Sequence, residues 1–116
     1  KNYLSPYLED KKPIKVSPII KIGNFDFYKN LNFLVDENNN KIDLTHLESR
    51  LLLTFLENLN KALSEKFLLK NVWGYSADVN SNTIKTHIWR LRKKIYKNSS
   101  ASFYIETTNN GYIFRA

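Results

Sequence analysis

The sequence predicts an α+β domain with an amino-terminal four-stranded antiparallel sheet, three helices and a closing β-hairpin. Three observations predict it. Between residues 19 and 44 the apolar residues come in short runs separated by turn formers, the habit of antiparallel strands. Between 45 and 97 they recur at three- and four-residue spacings, the period of helices with one apolar face. From 103 to 115 the short runs return around a single Asn-Gly pair. With 116 residues, 42% of them hydrophobic and 14% aromatic, the chain can build one core but not two.

All three prolines, Pro6, Pro13 and Pro18, fall in the first 18 residues beside Glu9, Asp10, Lys11 and Lys12. That density resists helix and central strand alike, so residues 1 to 18 read as a linker and 19 to 116 as the domain. The chain contains no methionine. It is therefore expected to be a piece of something longer, or processed, with the tethered partner upstream.

The four strands are expected at Ile19 to Ile22, Phe25 to Tyr28, Phe33 to Val35 and Ile42 to Leu44, separated by Gly23-Asn24, Asn30 and Asn38-Asn39-Asn40. Thr45 and Glu48 form a T-x-x-E capping box. It opens a helix whose Leu47, Leu51, Leu52, Phe55, Leu56 and Leu59 make one apolar face about four turns long. Ser64 caps a shorter helix bearing Phe67, Leu68, Val72 and Trp73, stopped at Gly74. After a polar loop, Tyr75 to Asn80, a third helix runs from about Ser81 to Lys97. The end of the chain, Phe103 to Arg115, is a hairpin, and Asn110-Gly111 suits a tight type I′ turn.

The net charge of +7 is not spread evenly. Residues 79 to 105 hold Lys85, Arg90, Arg92, Lys93, Lys94 and Lys97 and no acid, whereas the rest of the chain nearly balances. A polyanion is the implied partner. The same composition excludes other classes. No cysteine means no disulfide framework, thiol nucleophile or cysteine zinc site. His46 and His87 do not stand in a metal-binding pair spacing, so neither metal nor cofactor is expected. No apolar run approaches the roughly 20 residues of a membrane span and no signal peptide opens the chain. It reads as a soluble, cytoplasmic protein without a membrane partner. No nucleophile, base and orienter set and no Gly-rich phosphate loop suggests an enzyme.

On the third helix, Ile84, Ile88, Leu91 and Ile95 form a narrow core-facing stripe. The opposite sector holds Asn82, Thr86, Trp89, Arg90 and Lys93. Lys85, Arg92 and Tyr96 lie on one flank, His87 and Lys94 on the other. A basic helix face is often merely solvated. This one lacks compensating acids at i+4 and mixes its cations with Asn and Thr, which can read base edges as well as phosphates. Two helices, a loop and this helix make a helix-turn-helix layout, and the hairpin adds a wing.

Four motifs then occur in order: LTHLESRLLLTFL from Leu44, VWG at Val72 to Gly74, TIKTHIWRLRKKI at Thr83 to Ile95, and GYIF at Gly111 to Phe114. Together they resemble the OmpR/PhoB winged helix-turn-helix effector domain of bacterial two-component response regulators, over residues 19 to 115. The resemblance implies a third helix in the major groove of double-stranded DNA, the hairpin in the adjacent minor groove, and a receiver domain joined in cis through the Pro-rich linker. It also implies homodimers on DNA formed by an isolated domain that is largely monomeric, and RNA polymerase contact through Tyr75, Asp78 and Val79, for which a plain connector is the alternative. The sequence departs from the family at Thr107 to Tyr112, TTNNGY, one residue shorter than usual and without the customary arginine. The minor-groove contact then falls to Asn109 and Asn110, or to Arg115, and a weaker wing contribution is expected.

Arg90 is the candidate for bidentate guanine readout, with a phosphate clamp as its alternative. Thr86 and Asn82 point the same way one and two turns earlier, with capping or solvation as their alternative to a base contact. Trp89 is assigned either to a thymine methyl or sugar edge or to the protein itself. Thr83, Lys85, His87, Arg92, Lys93, Lys94 and Lys97 are the phosphate candidates, His87 having a packing role as its alternative. The expected function is sequence-specific duplex binding that controls transcription. The rival is a winged helix that docks on protein or RNA without duplex readout.

Overall fold

The computed structural model describes residues 19–74, 80–96 and 103–116. The linker lies outside them, as does the loop carrying Tyr75, Asp78 and Val79. Four short strands open the domain: β1 (Ile19–Ile22), β2 (Phe25–Tyr28), β3 (Phe33–Val35) and β4 (Lys41–Asp43). They form an antiparallel meander in chain order. Its turns use residues that tolerate positive φ: Gly23 at 57°, Asn32 at 57° and Asn39 at 66°. The last strand starts and ends one residue earlier than predicted. The Leu44 amide leaves the ladder to donate to the Asn32 carbonyl at 2.9 Å, while its side chain turns into the core.

Between β3 and β4, Asp36 is nearly buried and holds the turn together. Its carboxylate accepts from the Asn40 amide at 2.9 Å, the Asn38 amide at 2.8 Å and Asn40 Nδ2 at 3.2 Å. The Asn40 amide does most to hold this carboxyl below its ordinary range, against the opposing pull of burial. A depressed folded-state pKa stabilises the fold fully above the unfolded value, roughly 3.9, and the contribution is lost as pH falls through the lower folded value. Asp36→Asn is therefore expected to be less stable than wild type at pH 6, with the gap closing in acid below about pH 4. Denaturant melts across that range check it, and a gap independent of pH would contradict it.

The first helix, α1 (His46–Leu56), begins with the predicted capping box. The Glu48 amide donates to Thr45 Oγ1 at 3.1 Å and the Thr45 amide to Glu48 Oε1 at 2.8 Å. It is a turn shorter than the apolar pattern suggested. Asn58 Nδ2 donates to the Thr54 carbonyl at 2.8 Å, Asn60 takes φ of 61°, and Leu59 is left 42% exposed beyond the end. A two-residue strand, β5 (Leu63–Ser64), follows and was not anticipated. Ser64 Oγ then caps α2 (Glu65–Leu68) by accepting from the Phe67 amide at 3.0 Å. That helix widens into a π turn over Leu69–Trp73, closed by a Gly74 amide to Leu69 carbonyl bond of 2.8 Å, and ends at Gly74 with φ of 90°.

The third helix, α3 (Ser81–Tyr96), runs sixteen residues. The chain closes with β6 (Tyr104–Thr107) and β7 (Gly111–Arg115), and β7 sits between β5 and β6 in a three-stranded sheet. No type I′ turn forms, because neither Asn110 nor Gly111 adopts positive φ. The turn instead runs from Thr108 to the first residue of β7, with Asn109 and Asn110 at its tip and the Thr108 amide on the Gly111 carbonyl at 2.8 Å. Gly111 is needed for another reason: a Cβ there would lie 1.9 Å from the Leu63 carbonyl oxygen of β5.

One core joins these layers. Phe25, Phe27 and Leu34 from the first sheet, Leu51, Leu52 and Phe55 from α1, the α3 stripe, and Phe103 and Phe114 from the hairpin region are all essentially buried. Phe103 stacks on Phe114 with ring centroids 5.4 Å apart. Among the described residues no helix is long and apolar enough to cross a membrane, and no group of three or more His, Cys, Asp or Glu side chains is placed to hold a metal ion.

Candidate nucleic-acid interface

The third helix is fixed by three attachments besides its buried stripe. At its start, Asn80 Oδ1 accepts from the Thr83 amide at 3.1 Å, and Ser81 Oγ donates to Glu65 Oε2 of α2 at 3.1 Å. Near its end, Lys94 Nζ donates to Glu48 Oε1 at 2.6 Å and to the Asp43 carbonyl at 2.9 Å, tying α3 to the junction of β4 and α1. On the hairpin side, Arg92 Nη2 donates to the Ile105 carbonyl at 2.9 Å and Thr107 Oγ1 at 2.8 Å, while the Ile105 amide donates to the Tyr96 hydroxyl at 3.0 Å. Ile84, Ile88, Leu91 and Ile95 are at most 1% exposed, so the outward face is held at a fixed height above the core.

That outward face brings together Asn82, Lys85, Thr86, Trp89, Arg90 and Lys93, all exposed. None of Lys85, Arg90 and Lys93 pairs with a carboxylate among the described residues, where the ion pairs are Lys21–Asp26, Lys41–Asp43, Lys94–Glu48 and Arg115–Glu106. The strip lies between two grooves. One runs between α3 and β4, with Lys41 facing Arg90 and Lys93; the other runs between α3 and the hairpin, bounded by Lys85, Arg92 and Thr107. Trp89 borders both. Lys41 and Asn40 enter the first groove from the sheet, a contribution that sequence periodicity could not reveal because it arises from tertiary apposition.

Other predicted residues are placed differently. His87 Nδ1 lies 2.9 Å from the Thr83 carbonyl, and since a carbonyl only accepts, that nitrogen carries the hydrogen. The ring also packs edge-on against Trp73, centroids 5.3 Å apart at 84°. Both contacts match the packing alternative for His87. Lys94, the other phosphate candidate on this flank, already gives two of its three ammonium hydrogens to the protein, one of them to a carboxylate only 1% exposed. Arg92 is a strut to the hairpin, its guanidinium 5.8 Å from the Tyr112 ring. Thr83 is half-buried in the first turn. Lys97 lies outside the described residues.

At the hairpin tip, Asn109 and Asn110 are exposed, and the Asn110 carbonyl accepts from the Glu65 amide at 2.9 Å, tying the tip to the start of α2. Arg115 cannot stand in at the tip. It is four residues up β7, roughly 13 Å away at strand rise, and its Nε donates to Glu106 Oε1 at 2.6 Å. The short loop and the arginine's position together leave the tip with amides and no cation.

Residues 39–114 match the family described as transcriptional regulatory protein, C terminal. Among curated proteins, the chain is 35% identical over 98 residues to the response regulator ArlR of Staphylococcus aureus, covering 84% of this chain and 44% of that protein. The chain thus spans less than half the length of this relative. Among solved structures, it superposes on the DNA-binding domain of E. coli CadC with a TM-score of 0.74 and 26% identity, over 83% of this chain and 90% of that one. The DNA-binding domain of Bacillus subtilis CssR gives a TM-score of 0.69 at 27% identity, over 78% and 98%.

Proposed function

The chain belongs to the family of transcriptional regulatory protein C-terminal domains, the OmpR/PhoB-type winged-helix output domains, and from that membership and the geometry of α3 we propose that it binds double-stranded DNA sequence-specifically. This is a family of transcription-factor domains, not of enzymes. One observation carries the reading: three cations without carboxylate partners among the described residues, interleaved with Asn82, Thr86 and Trp89, occupy the exposed face of a helix whose other face is fully buried. A single α-helix fits the major groove, and only there do all four base pairs present distinct edges.

In this reading Lys85 and Lys93, with Thr83 in the first turn, meet phosphates and set the register. Arg90 reaches a guanine edge, and Asn82 an adenine or a water-bridged base. Asn109 and Asn110 approach the neighbouring minor groove by hydrogen bonding alone, a weaker contact than an inserted arginine. Arg92 and Lys94 hold the helix in place. The same reading extends to an upstream receiver domain in cis, to pairing of otherwise monomeric domains on DNA, and to RNA polymerase contact through residues 75–79. The resemblance to response regulators supports these extensions.

Selection of bound sequences from a random duplex pool tests the proposal. A consensus should emerge, and single-stranded RNA should compete poorly at matched salt. Binding to that consensus should weaken with salt with a log–log slope of roughly −2 to −4. Lys85→Ala and Lys93→Ala should each flatten the slope by about one unit. Equal affinity for duplex and RNA, with no consensus, would favour the protein- or RNA-docking rival.

A further inference from the structure

Within the outward strip, two side chains differ in chemistry from the cations and amides around them. Thr86 and Trp89 lie three residues apart on α3 and are therefore neighbours on its surface. The Thr86 hydroxyl donates to the Asn82 carbonyl at 2.9 Å, so it has no hydrogen left to give a base: its oxygen can only accept, and its methyl group is the apolar part of the side chain. Trp89 does not fold back against the protein: it is 57% exposed. Lys93 Nζ stands 4.5 Å from its ring centroid, a cation–π contact that occupies one face and leaves the rest of the indole accessible. One exposed aromatic carries no message alone. A methyl group and an indole side by side, at the centre of a strip otherwise built of hydrogen-bonding and charged groups, form an apolar patch in a defined place.

The major groove offers one methyl group, the C5-methyl of thymine, among base edges otherwise distinguished by their donors and acceptors. Bases inside a duplex are stacked, so the indole meets their edges and not their faces. We propose that Thr86 and Trp89 form a receptor for a thymine methyl, which makes thymine at a fixed place in the site a specificity determinant. The inference rests on the duplex reading above and names a base that this reading leaves open.

The test uses the duplex recovered by selection. Each thymine in it is replaced in turn by deoxyuridine, which removes the methyl group and keeps Watson–Crick pairing. One or two positions should lose about fourfold in affinity, the equivalent of about 0.8 kcal/mol for one methyl group withdrawn from an apolar contact. The loss should vanish in Trp89→Ala and shrink in Thr86→Ser, which keeps the hydroxyl. Both positions are exposed, and an unchanged thermal melt confirms that each variant is folded. Indifference to uridine at every position of a selected duplex overturns the thymine receptor and leaves duplex reading standing. So does a weaker Trp89→Ala with no uridine effect, which assigns the indole to a sugar edge. Failure to select any duplex, or a preference for single strands with Trp89 stacked on bases, overturns both.

Discussion

Gly111→Ala is expected to destabilise the domain by about 3 kcal/mol, lowering its melting temperature by roughly 10 to 20 °C. The added Cβ would stand 1.9 Å from the Leu63 carbonyl oxygen and 2.8 Å from Ser64 Cα, both backbone atoms that cannot rotate aside. Strand β5 must separate from β7, which breaks the register Leu63↔Tyr112 and Ser64↔Gly111 and withdraws the cap residue of α2. Asparagine separates this account from a turn-based one. In a type I′ turn, Asn is a tolerated replacement for Gly because the requirement is positive φ. Here the requirement is space, so Gly111→Asn should be at least as damaging as alanine. Thermal melts of the two variants decide, and a mild effect of Asn beside a severe effect of Ala would contradict the steric explanation.

Lys94→Ala is expected to lower stability by about 2 kcal/mol while leaving the salt dependence of DNA binding nearly unchanged. The Glu48 carboxylate is 1% exposed and accepts from Lys94 Nζ and from the Thr45 amide. Deleting the ammonium leaves a buried charge with half its partners. The lysine itself is one-third exposed, so water reaches part of the vacated space and the loss falls below that of a fully buried pair. Denaturant unfolding and a salt titration on the same variant check both halves. A salt slope flatter by one unit with stability unchanged would restore the phosphate role that the sequence suggested for this lysine.

Most of the architecture is local and was legible as such. The capping box at Thr45 and Glu48, the Ser64 cap, the stop at Gly74 and the isoleucine–leucine stripe of α3 each depend on residues within a turn or two of one another. The four-strand meander followed from its Asn- and Gly-rich turns, although Asn32, not Asn30, takes the positive φ at the second. What escaped is what distant chain segments decide. A two-residue strand such as β5 has no periodicity of its own and exists only because β7 passes beside it. The end of α1 was overrun because Leu59 kept the apolar spacing while Asn58 and Asn60 turned the chain away.

The candidate site divides the same way. Which face of α3 points outward was readable from the stripe, and Asn82, Thr86, Trp89, Arg90, Lys85 and Lys93 stand on it. Which of the remaining cations are free was not readable. Lys94 is neutralised by a carboxylate 46 residues earlier, Arg92 is held by groups 13 and 15 residues later, and Arg115 by Glu106 across a strand pair. In a helical projection Lys94 and Arg92 look like cations facing solvent, and Arg115 gives no sequence signal of its cross-strand partner. The local charge excess is real, but only part of it is presented to a polyanion.

If the exposed face of α3 reads a duplex with Arg90 on a base edge, Arg90→Ala should separate from wild type when both are measured on the selected duplex and on a scrambled one at the same salt. The expected result is a loss of about 1 to 3 kcal/mol on the selected duplex, a much smaller loss on the scrambled one, and a flattened preference at a single base pair. An equal loss on both duplexes would move Arg90 to a phosphate, and no preference in the wild type would contradict duplex reading as a whole.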